Sequence, residues 1–578
     1  TSYWYGMTGS NDAIYRPLSL IAIAIENQLS KNNASLNHVM NIAYYILSVM
    51  VLLQLLFKMF PGYSKAIPFI IALLWAVHPL HTEVVANIKS RDEIFSFLFG
   101  ILAIHYFVFG IKQPKALLTG GLCFFAALLS KENALTYLAI IPLTIYFFNY
   151  DKKRMLLTSA VLVVTGLIYY LIRSNVLTSE LGDTKMRIIH NALLAAPDTI
   201  SRLATSIKIL GMYLLKFLFP FSLSSDYSFN QIPVSHPGSI EFIISAVILS
   251  GLLIYAITRA RKKDPIAYGI LFFFTSISIV SNIIVLVGSN MADRFMFTPS
   301  LGLCISLVML LAYLFKLKGQ SSNHSIAVFY RDNKALSILT CAIAGLFCIL
   351  TISRNKDWAS NLKLFEADIV TSPNSARMKI NYGKELFASA KEPSLAAVDK
   401  NQLLDDATKL FSDASLIDTT WEEPFMELGL VASYKKDPAG ALANYRVARL
   451  KAPLDIILLN NMANSYFDLQ QYDSAIYYYR LCLSQKQNNP DAMSNLGSAF
   501  ALKKEFDSAV YYFKKVQELN PNDVNALINM GVMNFQAGKY DEAIRCYEQA
   551  ISIDPSNTKA KEYLENTRNV KAASIKNN

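Results

Sequence analysis

The sequence predicts an all-α protein in two parts: a polytopic membrane helix bundle, then a C-terminal α-solenoid of tetratricopeptide repeats. Two observations carry this reading. Hydrophobic residues make up 53% of the 578 residues and charged residues only 17%, against about 25% charged in an average soluble domain. In the last third of the chain, small residues, aromatics and prolines recur every 34 residues, the repeat length of a paired-helix solenoid.

The net charge of +11 is unevenly placed. Residues 374–578 are close to neutral, so the basic excess sits in the apolar part. There it reports membrane topology rather than nucleic-acid binding. The cysteines Cys123, Cys304, Cys341, Cys348, Cys482 and Cys546 form no CxxC and no metal spacing, and read as small buried hydrophobes.

A spanning helix needs about 20 apolar residues. Candidate spans run near 36–57, 66–80, 92–110, 114–130, 134–149, 154–172, 240–258, 265–287, 298–316 and 335–352. The stretch 199–219 is amphipathic and carries Arg202, Lys208 and Lys216. If it does not cross, Lys58, Lys65, Lys112, Lys115, Lys152–Arg154, Arg259–Lys263, Lys316 and Lys318 all fall on one side, the cytoplasm by the positive-inside rule. The loops at 81–91, 131–133, 173–239 and 288–297 and the repeats then lie on the other side. The chain opens at Thr1 with neither Met nor a leading apolar segment, so an upstream span is expected.

The non-cytoplasmic loops collect ionisable groups: Arg16, His78, His81, Glu83, Arg91, Asp92, Lys131, Glu132, Asp226, Asp293 and Arg294. Such groups at the hydrocarbon edge are costly and mark function, although snorkelling caps explain any one of them. The cations suit a lipid phosphate, and a carboxylate suits removal of a proton from an attacking hydroxyl. His78 and His81 would give a metal two ligands, but Pro79 interrupts the helix and no third ligand has motif spacing, so no metal is expected. Orienting a phosphate or sugar, or capping a helix, is their expected task.

In the repeats, Gly429, Ala463, Gly497 and Gly531 share one phase, Ala441, Ala475, Ala509 and Ala543 a second, and Tyr445, Tyr479, Phe513 and Tyr547 a third. Pro453, Pro521 and Pro555 share a fourth, with Gln487 in the remaining place. The small residues are expected where paired helices touch, and the aromatics between repeats. A degenerate repeat with Ala407, Phe411 and Ala414 precedes these, displaced by an insertion near 391–402. The implied divisions are 1–355 membrane domain, 356–421 junction and degenerate repeat, 422–556 four repeats, and 557–578 capping helix and tail. Two residues before the small-residue positions stand Asn381, Asn461, Asn495 and Asn529, with Glu427 breaking the series. An amide offers both donor and acceptor, so this ladder is expected to line a groove that holds extended polypeptide.

Several motifs together resemble the TMTC family, the transmembrane and tetratricopeptide-repeat O-mannosyltransferases of the GT-C superfamily, which has bacterial relatives. The carriers are Arg16-Pro-Leu, His78-Pro-Leu-His-Thr-Glu, Ser90-Arg-Asp, Ser130-Lys-Glu and Asp226-Tyr-Ser, with Asp357-Trp358 and Leu364-Phe365 before the repeats. The resemblance covers essentially the whole chain. It implies a GT-C-like bundle that moves a sugar, typically mannose, from a polyprenyl phosphate to Ser or Thr hydroxyls of exported proteins. The implied partners are the lipid-linked sugar, an exported or unfolded polypeptide in the repeat groove, and the membrane; no other cofactor and no nucleic acid are implied. Family members carry an acidic pair in the first outward loop that this sequence does not contain. The general base is therefore expected upstream, with Glu83, Asp92 and Asp226 as supporting carboxylates. Arg16, His78, His81, Arg91, Lys131, Glu132 and Arg294 are the implied substrate-binding groups. A bacterial inner membrane is the expected location, with the endoplasmic reticulum as the alternative, and the repeats on the non-cytoplasmic side. Two other classes stay open. One is a non-catalytic membrane-anchored repeat adaptor for envelope or secretory assembly. The other is a transporter, which needs polar residues at mid-span.

Overall fold

The computed structural model describes residues 15–30, 33–110, 115–177, 187–317 and 326–576. The opening segment from Thr1, together with Lys112 and Lys318 of the basic loops, lies outside them. All regular structure among the described residues is helical. The chain divides into two units, Thr1–Met378 and Lys379–Asn578. The junction helix Asn361–Thr371 falls within the first of these units.

Among the described residues of the first unit, five helices are long and apolar enough to cross a membrane: Ala34–Met59, Ile88–Phe109, Lys152–Val176, Ile240–Ala260 and Lys334–Asp357. Three of these, Lys152–Val176, Ile240–Ala260 and Lys334–Asp357, have only 17–22% of their apolar window buried. Surfaces so rich in bare Leu, Ile and Val are lipid-facing, and this is a membrane protein. A sixth candidate is the pair Ala66–Ala76 and Pro79–Ala86, bent by 51°. Pro79 has no N–H to donate to the preceding turn. His78 leaves helical geometry at ψ 127°, and its Nδ1 accepts from Leu80 N at 3.3 Å, capping the next turn.

The other expected spans each contain a helix, but the one near 265–287 is cut short. Its helix, Pro265–Ile277, has 13 residues. It packs so tightly on Pro299–Leu314 that a side chain on Gly269 or Gly302 would run into the other glycine's carbonyl. The amphipathic stretch is a helix, Thr199–Leu218, stapled at both ends to loops. Thr205 Oγ1 accepts from Ser235 N at 2.8 Å, and Ser206 Oγ donates to Asn282 O at 3.3 Å. Tyr213 Oη accepts from Ala292 N at 2.9 Å, and Phe217 O bonds His78 Nε2 at 3.0 Å.

The second unit is a series of antiparallel helix pairs: Glu423–Tyr434 with Pro438–Lys451, Ile456–Asp468 with Tyr472–Gln485, Pro490–Leu502 with Phe506–Leu519, and Val524–Gln536 with Tyr540–Ile553. Thr558–Lys576 follows the last pair as the expected cap. The aromatics face the small residue of their own repeat as well as the helices that follow, as Tyr547 does with Tyr563 at 5.8 Å. A side chain on Gly429, Gly497 or Gly531 would strike Tyr445, Phe513 or Tyr547, each from the partner helix of the same repeat. Gly383 meets Phe411 in the same way, so the degenerate repeat keeps this contact despite its displaced sequence. Each turn within a repeat needs one left-handed residue: Lys436 (φ 60°), Gln470 (φ 59°), Lys504 (φ 61°) and Gly538 (φ 75°). Only the last is glycine, so the other three carry a backbone cost of about 1 kcal/mol, and this period-34 signal is easily missed in sequence.

Candidate active site

Charged side chains from several helix ends of the first unit meet in one cluster. Arg16 precedes the helix Pro17–Ser30, Asp92 and Glu93 open the helix Arg91–Ile104, and Lys131 follows Ala116–Ser130. Arg16 holds Glu132 through Nε at 3.0 Å and Nη2 at 2.5 Å, and Asp92 through Nη1 at 2.5 Å. Lys131 Nζ lies 2.7 Å from Glu93 and 3.4 Å from Asp92. Arg294 Nη1 lies 2.6 Å from Glu83 Oε1, and Arg294 N donates to Glu83 Oε2 at 3.0 Å. Lys89 stands within electrostatic reach of Arg16, Asp92 and Arg294. It was not among the expected residues; its place in Lys89-Ser-Arg-Asp was the only available signal. Exposure separates the cations: the Arg294 side chain is 32% exposed, Arg16 17% and Lys131 5%.

Arg91 is not part of this cluster, contrary to its expected contact with a phosphate. Its side chain is fully buried. Nη1 holds Glu26 at 2.7 Å, Nε donates to Asn41 Oδ1 at 2.7 Å and Nη2 to Asn37 O at 2.9 Å. All three nitrogens are committed to the helices Pro17–Ser30 and Ala34–Met59, so Arg91 pins those helices to its own. The histidines are also internal braces rather than exposed binding groups. His78 stacks on Phe217 at 4.9 Å. His81 lies 3.0 Å from Tyr45 Oη through Nδ1 and 3.0 Å from Ser300 Oγ through Nε2. No three His, Cys, Asp or Glu side chains among the described residues are grouped to hold a metal.

A second polar network joins the 222–231 loop to the junction. Asp226 Oδ2 accepts from Ser228 N at 3.0 Å, Ser228 Oγ at 2.7 Å and Ser375 Oγ at 2.6 Å. Asp368 accepts from Ser225 N at 2.7 Å and Ser225 Oγ at 2.6 Å, and pairs with Arg354 at 2.6 Å. Burial raises the Asp368 carboxyl against the pull of that arginine. Beside this loop, Tyr227 Oη donates to Asp293 at 3.0 Å and Ser224 N donates to it at 3.1 Å. Burial pushes the Asp293 carboxyl up to about 7, although Lys216 pulls it down. Its folded pKa thus lies above the ordinary value of about 3.9. The stability this contributes is complete below about pH 4 and is lost as pH rises through 7. The melting temperature should therefore fall between about pH 4 and 7 and level off above that, and Asp293→Asn should flatten that slope in a thermal-shift series. An unchanged slope would remove Asp293 as its source.

In the repeats, Asn381, Asn461, Asn495 and Asn529 are all half-buried. Asn495 Nδ2 donates to Asn464 Oδ1 of the preceding repeat at 3.1 Å, and Tyr479 Oη donates to the same oxygen at 2.5 Å. Glu427, at the ladder position, is tied in the same register to Lys384 at 3.2 Å. These two rungs are spent between repeats, whereas the ladder reading expects every rung to serve a ligand. Lys384 also binds Glu423.

Tetratricopeptide-repeat family models match residues 460–524 and 524–557. A protein O-mannosyl-transferase of Caenorhabditis elegans is 24% identical over 414 residues, covering 71% of this chain and 54% of its own length. Human protein O-mannosyl-transferase TMTC1 is 23% identical over 418 residues, covering 64% of this chain and 46% of its own. Human TMTC4 is 23% identical over 438 residues, at 66% and 57%. The chain spans about half the length of the curated relatives it matches. With an apolar helix bundle followed by tetratricopeptide repeats, the chain is thus similar to the TMTC protein O-mannosyl-transferases over about two thirds of its length.

Proposed function

We propose that the protein is a membrane glycosyltransferase that moves a sugar, mannose by its relatives' names, from a polyprenyl phosphate to Ser or Thr hydroxyls of exported polypeptides. The observation that carries this reading is the cluster of Arg16, Lys89, Lys131 and Arg294 at adjoining helix ends, where a lipid-borne phosphate would sit. Arg294, the most exposed arginine there, would take the phosphate by charge-assisted hydrogen bonds and stabilise it as it leaves. Glu83 holds the Arg294 backbone and side chain together, so it positions that arginine. The acceptor hydroxyl would attack the sugar's anomeric carbon and lose its proton to a carboxylate. Asp92, Glu93, Glu132 and Glu83 are each held by a cation, which suits support more than proton removal.

The repeats would hold the acceptor. The groove cation Lys384 is neutralised by Glu423 and Glu427, which favours an internal, uncharged segment over a C-terminal carboxylate. With polyprenyl-phospho-mannose and an unfolded Ser/Thr-rich peptide, the full-length protein in lipid vesicles should form mannosyl-peptide; no product would leave the membrane-adaptor reading. With Asn495 spent on Asn464, two neutral hydrogen bonds remain, worth about 0.5–1.5 kcal/mol each. The double change Asn461→Ala, Asn529→Ala should thus raise the peptide KM at least about fivefold with kcat retained. An unchanged KM would reject the ladder.

The repeats would lie on the same, non-cytoplasmic side as the charged cluster. The helix Thr199–Leu218 would stay on that side too, since it bonds Ser235 and Ala292 in loops assigned there, and Asn282 and His78 at the adjoining ends of two expected spans. Cysteines placed at His236 and Ser556, in a chain with its native cysteines replaced, should label from one side of sealed vesicles. Labelling from opposite sides would sink this topology.

A further inference from the structure

Residues 265–292 contain no charged side chain, yet only Pro265–Ile277 is helical. Thirteen residues rise about 20 Å, short of the roughly 30 Å of hydrocarbon in a bilayer. The chain turns at Asn282, which is buried at φ 58°, a conformation asparagine tolerates. Asn282 Oδ1 accepts from Val287 N at 2.9 Å and from Asn191 Nδ2 at 2.8 Å. Its Nδ2 donates to Ser289 O at 3.1 Å, and Asn191 Nδ2 also donates to Val287 O at 2.8 Å. Two asparagine side chains thus supply hydrogen bonds that the ended helix no longer makes. That is the condition under which non-helical chain can sit at membrane depth. The pinned base holds out an apolar tip: Ile283 is 36% exposed, Ile284 77% and Val285 62%, with no polar residue between Asn282 and Gly288.

We propose that residues 283–286 form a re-entrant tip inserted among the acyl chains of the leaflet at the charged-cluster end. The tip continues a lipid-facing surface. Its base is bonded to Ser206 of the helix Thr199–Leu218. Gly211 of that helix lies against Ser245 of the span Ile240–Ala260. That end of the span presents Ile240, Ile243, Ile244 and Val247 bare. Apolar area costs about 25 cal/mol per Å² in water, so this tip belongs in hydrocarbon. The insertion does not depend on the transferase reading.

The test places a nitroxide on Ile284→Cys and, separately, on Val285→Cys, in the full chain with its six native cysteines replaced, in phosphatidylcholine nanodiscs. Collision rates with oxygen and with a water-soluble nickel chelate report depth. Labels at Val247→Cys, bare on the span, and Ser556→Cys, exposed in the repeats, set the two limits. The oxygen-to-nickel ratio at both tip positions should match Val247 and stand several-fold above Ser556. A ratio matching Ser556 would put the tip in water and overturn the proposal. Shielding from both reagents would overturn it too, by placing the tip against protein, such as a second copy of the chain.

Discussion

Replacing Arg91 by alanine should destabilise the first unit by about 3–5 kcal/mol, the cost of stranding one partner of a buried ion pair. The stranded group is Glu26, whose side chain is only 7% exposed and whose other oxygen accepts from Tyr44 Oη at 3.2 Å. Asn41 Oδ1 and Asn37 O would lose their donors as well. The loss should appear as unfolding at markedly lower temperature in detergent, before any effect on turnover is measured. The double change Arg91→Leu, Glu26→Leu should recover much of the deficit, because the cost comes from the unpaired charge rather than from the missing arginine. Normal melting with abolished donor use in Arg91→Ala would show that the guanidinium serves substrate after all.

Arg294→Ala should act on chemistry. Losing one charge-assisted hydrogen bond to a phosphate costs about 1.5–3 kcal/mol, which is roughly a 10- to 150-fold loss of donor kcat/KM. Alanine would also strand Glu83, which is 6% exposed. The comparison is therefore best made between Arg294→Ala, Glu83→Gln and Glu83→Gln alone, with folded yield matched. Arg294→Lys should recover only part of the activity, since an ammonium keeps the charge but not the planar fork. Full donor turnover in the double variant would remove Arg294 from the site and leave a helix cap.

The repeats were legible almost residue by residue, because each repeat contacts mainly its neighbours in sequence. The Gly429, Gly497 and Gly531 phase is the imprint of one helix crossing made again and again. Gly383 escaped that phase because the insertion moved it, although the same crossing with Phe411 is intact. Most spans were legible for a related reason: hydrocarbon demands an apolar run whatever the neighbours are.

The charged cluster was legible only in part, since Arg91 lies outside it and Lys89 was not expected in it, and its pairs were not legible at all. Arg16, Arg91, Lys131 and Arg294 look alike in sequence, each a cation beside a carboxylate at a helix end. Their fates differ because helix faces far apart in sequence decide burial. Arg91 falls between two packed helices that offer Glu26, Asn41 and Asn37, while Arg294 meets Glu83 at the rim. The end of the helix at Ile277 was hidden in the same way. Its apolar continuation satisfies the composition of a span, and the hydrogen bonds that let the chain leave the helix come from Asn282 together with Asn191, some ninety residues earlier. The sequence by itself thus determined helix class and repeat register, which rest on local period and hydropathy. Only the tertiary structure decided which charge is a brace and which faces solvent, because desolvation and pairing are set by contacts between distant segments.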